Sequence, residues 1–548
     1  MYKITKDKLP KLYAALQNIG TLLLPCKNKS GHADFAPYRE DVEVALDAPL
    51  TNRSAKDVFF PQVENLLTFK TSGKELALEQ NVPPAGMTIV MGVRACDARS
   101  FKILDKVFLK AMLTLAIPIA LQNLITTSLN LVDNLMIGKL GETPIAAVGL
   151  ANQYFFIFTL CIMGINAGAN IFMAQFWGKK NVKDIKKMLG IDITIGFIAT
   201  IIFGLAAFVF PHKIMGILSN DMEVIYLGSQ YLRIVAISTI FVNLSQCLSS
   251  ALRSTGQPSI PMYASLIGVL CNAVLNWVFI FGNLGAPKMG VAGAALATTI
   301  ARGIEFIYIL SSVYIGKNIV AAKIKELFTF NFKDIKVYFK VSTSVILNEL
   351  VWSLGMTAYT VSYSFIGTRA VATMQIANTL NNMFMVICTG LGVAAAIIIG
   401  NKIGAEEEDV AIDYSKKIGI LAPIAGFILG IIIWIAAPLI VKPFDVSAEA
   451  CADTIRVLRI MAIFSALRFF NTVMIIGVFR GGGDTLYTML VQLGTVWFYA
   501  VPIAFFAAIV LKMPVEVVFF LICSEELVKL SFSISRLKSC KWIKNVIN

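Results

Sequence analysis

Residues 107–137, "VFLKAMLTLAIPIALQNLITTSLNLVDNLMI", decide the class of this protein. Apart from Lys110 and Asp133 the stretch carries no formal charge, and about 20 mostly apolar residues suffice to cross a bilayer as a helix. Gln122, Thr126, Asn130 and Asp133 recur at i, i+4, i+8 and i+11, which sets them on one stripe of that helix. Such a stripe faces protein or water rather than lipid. An acid inside a span costs about 3 kcal/mol on insertion scales, so Asp133 is a functional candidate by default; its plainer reading is an interfacial cap near the outer end of the span. Pro118 removes one backbone hydrogen bond from the same helix and permits a bend.

The pattern extends outward from this stretch. The 548-residue chain is 57% hydrophobic, above the usual share of about 45–50% in soluble domains, with a mean hydropathy of +0.73. About twelve spans follow one another at 109–137, 145–177, 189–210, 224–252, 260–283, 290–315, 340–366, 370–400, 415–441, 452–479, 486–511 and 514–536. No period-2 alternation marks them, so they read as helices, which satisfy their own backbone polar groups in lipid. No apolar N-terminal run suggests a cleavable signal peptide. The net charge of +14 is an orientation signal rather than a mark of nucleic-acid binding. Loops after even-numbered spans and the C-terminal tail hold twenty Lys and Arg, the opposite loops six. That asymmetry places both termini in the cytoplasm of a multi-pass cell-membrane protein. Nine scattered cysteines and two histidines indicate neither a disulfide framework nor a zinc site, and no catalytic constellation is present.

The spans fall into two similar sets. "AVGLAN" ending at Asn152 matches "TMQIAN" ending at Asn378, 226 residues later, and "AQFWGKKN" with Gly178 matches "GNKIGAEE" with Gly404 at the same offset. "LRSTGQP", with Arg253, matches "FRGGGDT", with Arg480, at 227. Six spans return the chain to its starting side, so the repeats are parallel. The expected architecture is an all-α membrane protein with lobes at 107–315 and 341–540, joined by a cytoplasmic linker at 316–340, around a central cavity. The linker is basic and amphipathic; it lies on the inner leaflet or forms a solvated loop.

Several polar residues join Asp133 as candidates. Asn272 and Asn276 share a face of the fifth span, and the sixth offers Thr298 and Thr299. One carboxylate with amide and hydroxyl oxygens suits a small hard cation, or a proton held on the carboxylate; interhelical hydrogen bonds are the plainer use of the asparagines. Glu349, 226 residues after Asn123, sits with Ser353, Thr357 and Thr360 on one face of the seventh span. It is a second protonatable site, a group for cationic substrates, or an acid paired to a neighbouring base. Gln122, Asn130, Asn152, Gln375 and Asn378 are further polar candidates for the cavity wall. Arg302 and Glu305, one turn apart, read as an intrahelical pair.

Two six-helix repeats, "SLNLVDNLMIGKLGETPIAAVGLANQ" (128–153), "ALRSTGQPSIPM" (251–262) and "FRGGGDT" (479–485) together resemble the multidrug and toxic compound extrusion (MATE) family over about residues 107–540. The resemblance implies efflux of organic, often cationic, compounds in exchange for protons or sodium ions, with no cofactor and, as expected here, a monomeric chain in the bilayer. It assigns ion coupling to the acid of the "VD" motif, Asp133, with Asn272, Asn276 and Thr298; Asp133, Asn272 and Asn276 would hold the metal if the ion is sodium. The family places an Asp where this chain has Asn276, which removes one negative charge and tilts the reading toward protons. Glu349 resembles a seventh-helix acid of other branches. A flippase for a lipid-linked precursor is the alternative function, since related two-lobed folds perform it; a pyrophosphate lipid would want Arg or Lys facing the cavity.

Residues 1–106 differ in character. "FAPYRE", "KDVFFPQVENLLTFK" and "GVRACDARSFKILDKVFL" resemble the start of iron-sulfur oxidoreductases with two [4Fe-4S] clusters, and they run without a linker into the first span. Only Cys26 and Cys96 occur there, whereas clusters need runs of cysteine, so no iron-sulfur cluster is expected in this small α/β or partly disordered segment.

Overall fold

The computed structural model describes the backbone of residues 95–442 and 447–547 and, before them, mainly a set of strands; side chains are described for a few residues between 13 and 44 and from Phe108 on, except at 129–131, 134, 135, 443–446 and 548. Contacts divide the chain into residues 1–110 and 111–548.

In the first unit, β1 (Thr21–Lys27) pairs antiparallel with β2 (Ala33–Pro37), bringing Cys26 opposite Asp34. β3 (Leu67–Ser72) and β4 (Glu75–Gln80) form a separate antiparallel pair, and β5 (Thr88–Val90) runs parallel to β1. Tyr13, Leu22, Leu24 and Cys26 make its small buried cluster. The side chain of Cys96 lies outside the described residues.

The second unit is built from long helices: α1 (Ala95–Gly138, from residue 111 on), α2 (Glu142–Gly178), α3 (Val182–Val209), the short α4 (Pro211–Leu218), α5 (Met222–Ser254), α6 (Ser259–Phe281) and α7 (Gly290–Tyr314). A single-turn α8 (Ile324–Leu327) precedes α9 (Phe332–Ser364), α10 (Thr368–Gly404), α11 (Glu408–Val441), α12 (Ala448–Phe479), α13 (Thr485–Val510), α14 (Val515–Cys523) and α15 (Glu525–Ser539). Taking α14 and α15 as one rod broken at Ser524, twelve rods form two sets of six. Ten helices among the described residues are long and apolar enough to cross a membrane. Their outer faces are apolar: Ile198, Ile201, Ile202 and Leu205 form one exposed ridge of α3, tenable in lipid but not in water. Asn181, Asp221, Asn331 and Ser447 cap α3, α5, α9 and α12 by accepting backbone N–H bonds. The linker divides differently from the expectation. Its last residues are the first turns of α9, which starts at Phe332 rather than 340, because Asn331 and Asp334 form a reciprocal cap there.

Matched positions of the two repeats occupy matched environments. Gly141 and Gly367, 226 apart, enter α2 and α10 at φ 121° and 139°, a backbone region that side chains disfavour. A Cβ on Gly178 would lie 1.9 Å from the Asn401 carbonyl oxygen, and one on Gly404 would lie 1.8 Å from that of Gln175. Gln175 and Asn401 are themselves 226 apart, so α2 and α10 cross each other through reciprocal contacts. Gly390 faces Ala120 of α1, and its counterpart Gly164 faces Ile346 of α9, which is Ala120 plus 226. Reciprocity of this kind is what a two-fold relation between parallel repeats requires. The two lobes therefore meet along α1, α2, α9 and α10, with the tightest approach near the end of the bundle that carries the linker. There the second lobe enters the core of the first: Tyr338, Val341 and Val345 of α9 pack with Ile185, Met188 and Leu189 of α3.

Candidate functional site

Four polar side chains of the first lobe form one hydrogen-bonded row. Asn272 and Asn276 lie one turn apart on α6, and Gly293 lets α7 come close, since a Cβ there would stand 2.6 Å from the Phe279 carbonyl oxygen. The Asn276 amide donates to Asp133 Oδ1 at 2.5 Å and to Asn272 Oδ1 at 2.9 Å, while the Asn272 amide donates to Thr298 Oγ1 at 3.2 Å. Both asparagines are fully buried. Turning the Asn276 amide round would set its oxygen against two acceptors, so with Asp133 ionised the observed orientation is the one the chemistry allows. Its own Oδ1 has no partner among the described atoms. A proton on Asp133, or a cation between the oxygens, gives that oxygen something to face. The donor set of one carboxylate, two amides and a hydroxyl fits either.

A second row lies beside the first. Gln122 donates to Ser265 (3.2 Å), Ser265 to Glu305 (3.0 Å), and Arg302 to Glu305 (2.8 Å). Arg253 donates to Gln122 Oε1 at 3.3 Å. A cavity of about 10 Å³, room for about one water, is lined by Thr126, Ser265, Asn272, Thr298, Arg302 and Glu305, so it touches both rows. Arg302 and Glu305 are thus the expected intrahelical pair and also part of a network.

Glu349 is the acid paired to a base: Arg480, buried on the second lobe, donates to its Oε1 at 2.8 Å. The counterpart of that pair is Arg253 with Gln122, both members offset by 227. Glu349 therefore corresponds to Gln122 rather than to Asn123, and only the second lobe has a carboxylate in this slot. Tyr359, at Asp133 plus 226, donates instead to Glu525 of α15 at 3.0 Å.

Of the remaining candidates, Asn152 reaches the Asp133 row through Tyr231, which stands against Thr298 and Asp133, whereas the two on α10 lie apart from it. Asn152 is exposed on α2 and accepts from the Tyr231 hydroxyl at 3.3 Å. Gln375 is exposed and Asn378 half-buried on α10, and neither bonds to the row among the described contacts. The side chain of Asn130 lies outside the described residues. Buried ionisable groups not singled out by the sequence include Asp484, paired to Arg536 and Lys544, and those that follow, although charge within an apolar run is itself a signal. Glu525, Glu526 and Lys529 of α15 form ion pairs at 3.0 and 3.9 Å, with Asn471 donating to Glu526 at 2.8 Å. Asp192 of α3 is wholly buried.

The MatE family model matches residues 118–278 and 344–506. The chain is 26% identical over 409 residues to the probable multidrug resistance protein YoeA of Bacillus subtilis, covering 72% of this chain and 86% of that protein. It is 22% identical over 397 residues to the probable multidrug resistance protein NorM of Thermotoga maritima, covering 72% and 85%. A crystal structure of MATE in complex with MaL6 superposes with a TM-score of 0.73 at 20% identity, over 79% of this chain and 97% of that one.

Proposed function

Since the chain belongs to the MATE family of transporters, we propose that it is a secondary active multidrug exporter, expelling small organic, often cationic, compounds in exchange for protons or sodium ions by alternating access. The observation that carries this reading is the hydrogen-bonded row from Asp133 through the buried Asn276 and Asn272 to Thr298. An ion drives a cycle only by binding its two end states differently, and Asp133 is the row's one charged member. Binding a proton neutralises it and frees the Asn276 amide to turn. Sodium would be held by Asp133 with Asn272, Asn276 and Thr298, at a net charge one unit less negative than with a second acid in place of Asn276; this favours the proton. The names of YoeA and NorM support drugs as the substrate class. The loop charge asymmetry supports a cell-membrane orientation with cytoplasmic termini.

The flippase reading needs cationic side chains free to meet a pyrophosphate; Arg302, Arg456 and Arg480 are tied to Glu305, Glu516 and Glu349, whereas Arg253 and Arg468 bond to the neutral Gln122 and Asn381. The test is reconstitution in lipid vesicles: a fluorescent organic cation leaves them when a proton or sodium gradient is imposed. Flux that ignores every gradient refutes ion-coupled export.

A further inference from the structure

Asp192 stands in the middle of α3 with relative exposure of 0%, and neither carboxylate oxygen has a hydrogen-bond partner among the described atoms. Leaving an ionised carboxylate in that condition costs several kcal/mol, more than any interaction around it returns. The titratable groups facing it are the Cys247 thiol of α5 and the Tyr338 phenol of α9, with Cys161 of α2 also within electrostatic reach of Tyr338. The lysines nearest in sequence on α3 are engaged elsewhere, Lys186 by Glu326 of α8 and Lys187 by Asp334 of α9. A hard cation wants about six oxygens, and a thiol and a phenol do not supply them. Only a proton suits the site.

The cover of the site comes from the other lobe. Tyr338 is fully buried, donates to the Ile165 carbonyl oxygen of α2 at 2.8 Å and stacks on Phe172. Ser342, one turn on, occupies the space that a side chain at Gly168 would need: a Cβ there would stand 2.1 Å from Ser342 Oγ. The Ser342 hydroxyl and the Asn243 amide nitrogen, both fully buried, have no partners either. Hence the Asp192 carboxyl, the Ser342 hydroxyl and the Asn243 amide nitrogen, at this meeting of α2, α3, α5 and α9, have no partner among the described atoms while the lobes are together.

We propose that Asp192 is a second proton-binding site, lodged in the first lobe and sealed by Tyr338 and Ser342 of the second, which holds its proton while α9 rests on α2 and yields it to water when they part. The step breaks the carboxyl O–H bond and transfers the proton to water, leaving a hydrated carboxylate. Parting of the lobes thereby becomes easier as pH rises, because water stabilises the ionised form only in the parted state. The inference rests on movement between the lobes, as the proposed export does, but Asp192 lies outside the Asp133 row.

The test uses the full chain in lipid vesicles and dicyclohexylcarbodiimide, which takes the proton of an un-ionised carboxyl and adds the resulting carboxylate, rearranging to a stable N-acylurea. Mass spectrometry of digested protein maps the adduct. We expect an adduct at Asp192 in the wild type whose rate falls roughly tenfold per pH unit once the group ionises. Tyr338→Ala is expected to speed it severalfold; Gly168→Ala, which displaces Ser342 and leaves Tyr338 intact, does the same if the first variant fails to fold. An unmodified Asp192 in a sample where another carboxyl of the helices reacts overturns the proposal, as does a rate indifferent to both variants. Gradient-driven export in the same vesicles reports separately on the transport reading.

Discussion

Asp133→Asn separates coupling from stability, because the structure sets the cost of each. Asn276 donates to Asp133 Oδ1 at 2.5 Å. A hydrogen bond to a charged acceptor contributes about 1.5–3 kcal/mol and a neutral one about 0.5–1.5. In the variant the new amide oxygen still accepts from Asn276, so the loss is the difference, about 1–1.5 kcal/mol. Such a loss shifts a 250-residue protein by a few degrees at most, and a longer chain by less. Coupling fares differently. Moving a two-state equilibrium from 1:99 to 99:1 takes about 5.5 kcal/mol of differential binding, and a side chain fixed neutral contributes none of it through ion binding. Melting temperature and equilibrium binding of the organic cation should therefore stay near wild type while gradient-driven flux in vesicles is nearly abolished. Near-normal flux in Asp133→Asn would refute the assignment, and a dead Glu349→Gln beside it would move coupling to the second lobe.

Glu349→Gln recreates in the second lobe the neutral pairing that Arg253 and Gln122 already make in the first. It should lower stability by about 1–2 kcal/mol in chemical or thermal denaturation and reduce flux less than Asp133→Asn does. Gly404→Ala drives a methyl group into the Gln175 carbonyl oxygen, 1.8 Å from the ideal Cβ. Forcing it in should cost about 1–3 kcal/mol, and Gly178→Ala should match it in a parallel melt because its contact is the reciprocal one. Lys529→Met leaves Glu525 and Glu526 buried without their cation, a loss of about 3–5 kcal/mol that should show as poor yield of folded protein in size-exclusion profiles.

While the grouping of Asp133, Asn272 and Asn276 with Thr298 into one site was what the resemblance to the MATE family implied, the sequence by itself determined the membrane class, the two parallel six-helix repeats and the candidacy of those first three residues. These are legible because lipid imposes simple rules along the chain. A span must be apolar for about 20 residues, so one acid within it is conspicuous, and helical spacing puts Asn272 above Asn276 whatever packs around them. What a side chain faces across a helix boundary is not written in spacing. Three readings of Glu349 stay open in the sequence, and the pairing with a base is selected only when the end of α12 brings Arg480 to it from 131 residues away. The repeat offset wavers between 226 and 227, and only the matched Arg253 and Arg480 contacts decide that Glu349 answers to Gln122. Asp192 has one charge in an apolar run, the same signal as Asp133. Its difference from Asp133 is tertiary: Asn276 reaches one carboxylate, whereas the other is closed over by Tyr338 from the opposite lobe with nothing to receive its charge. Desolvation depends on what packs around a group in three dimensions, and that packing is set by residues far from it in sequence.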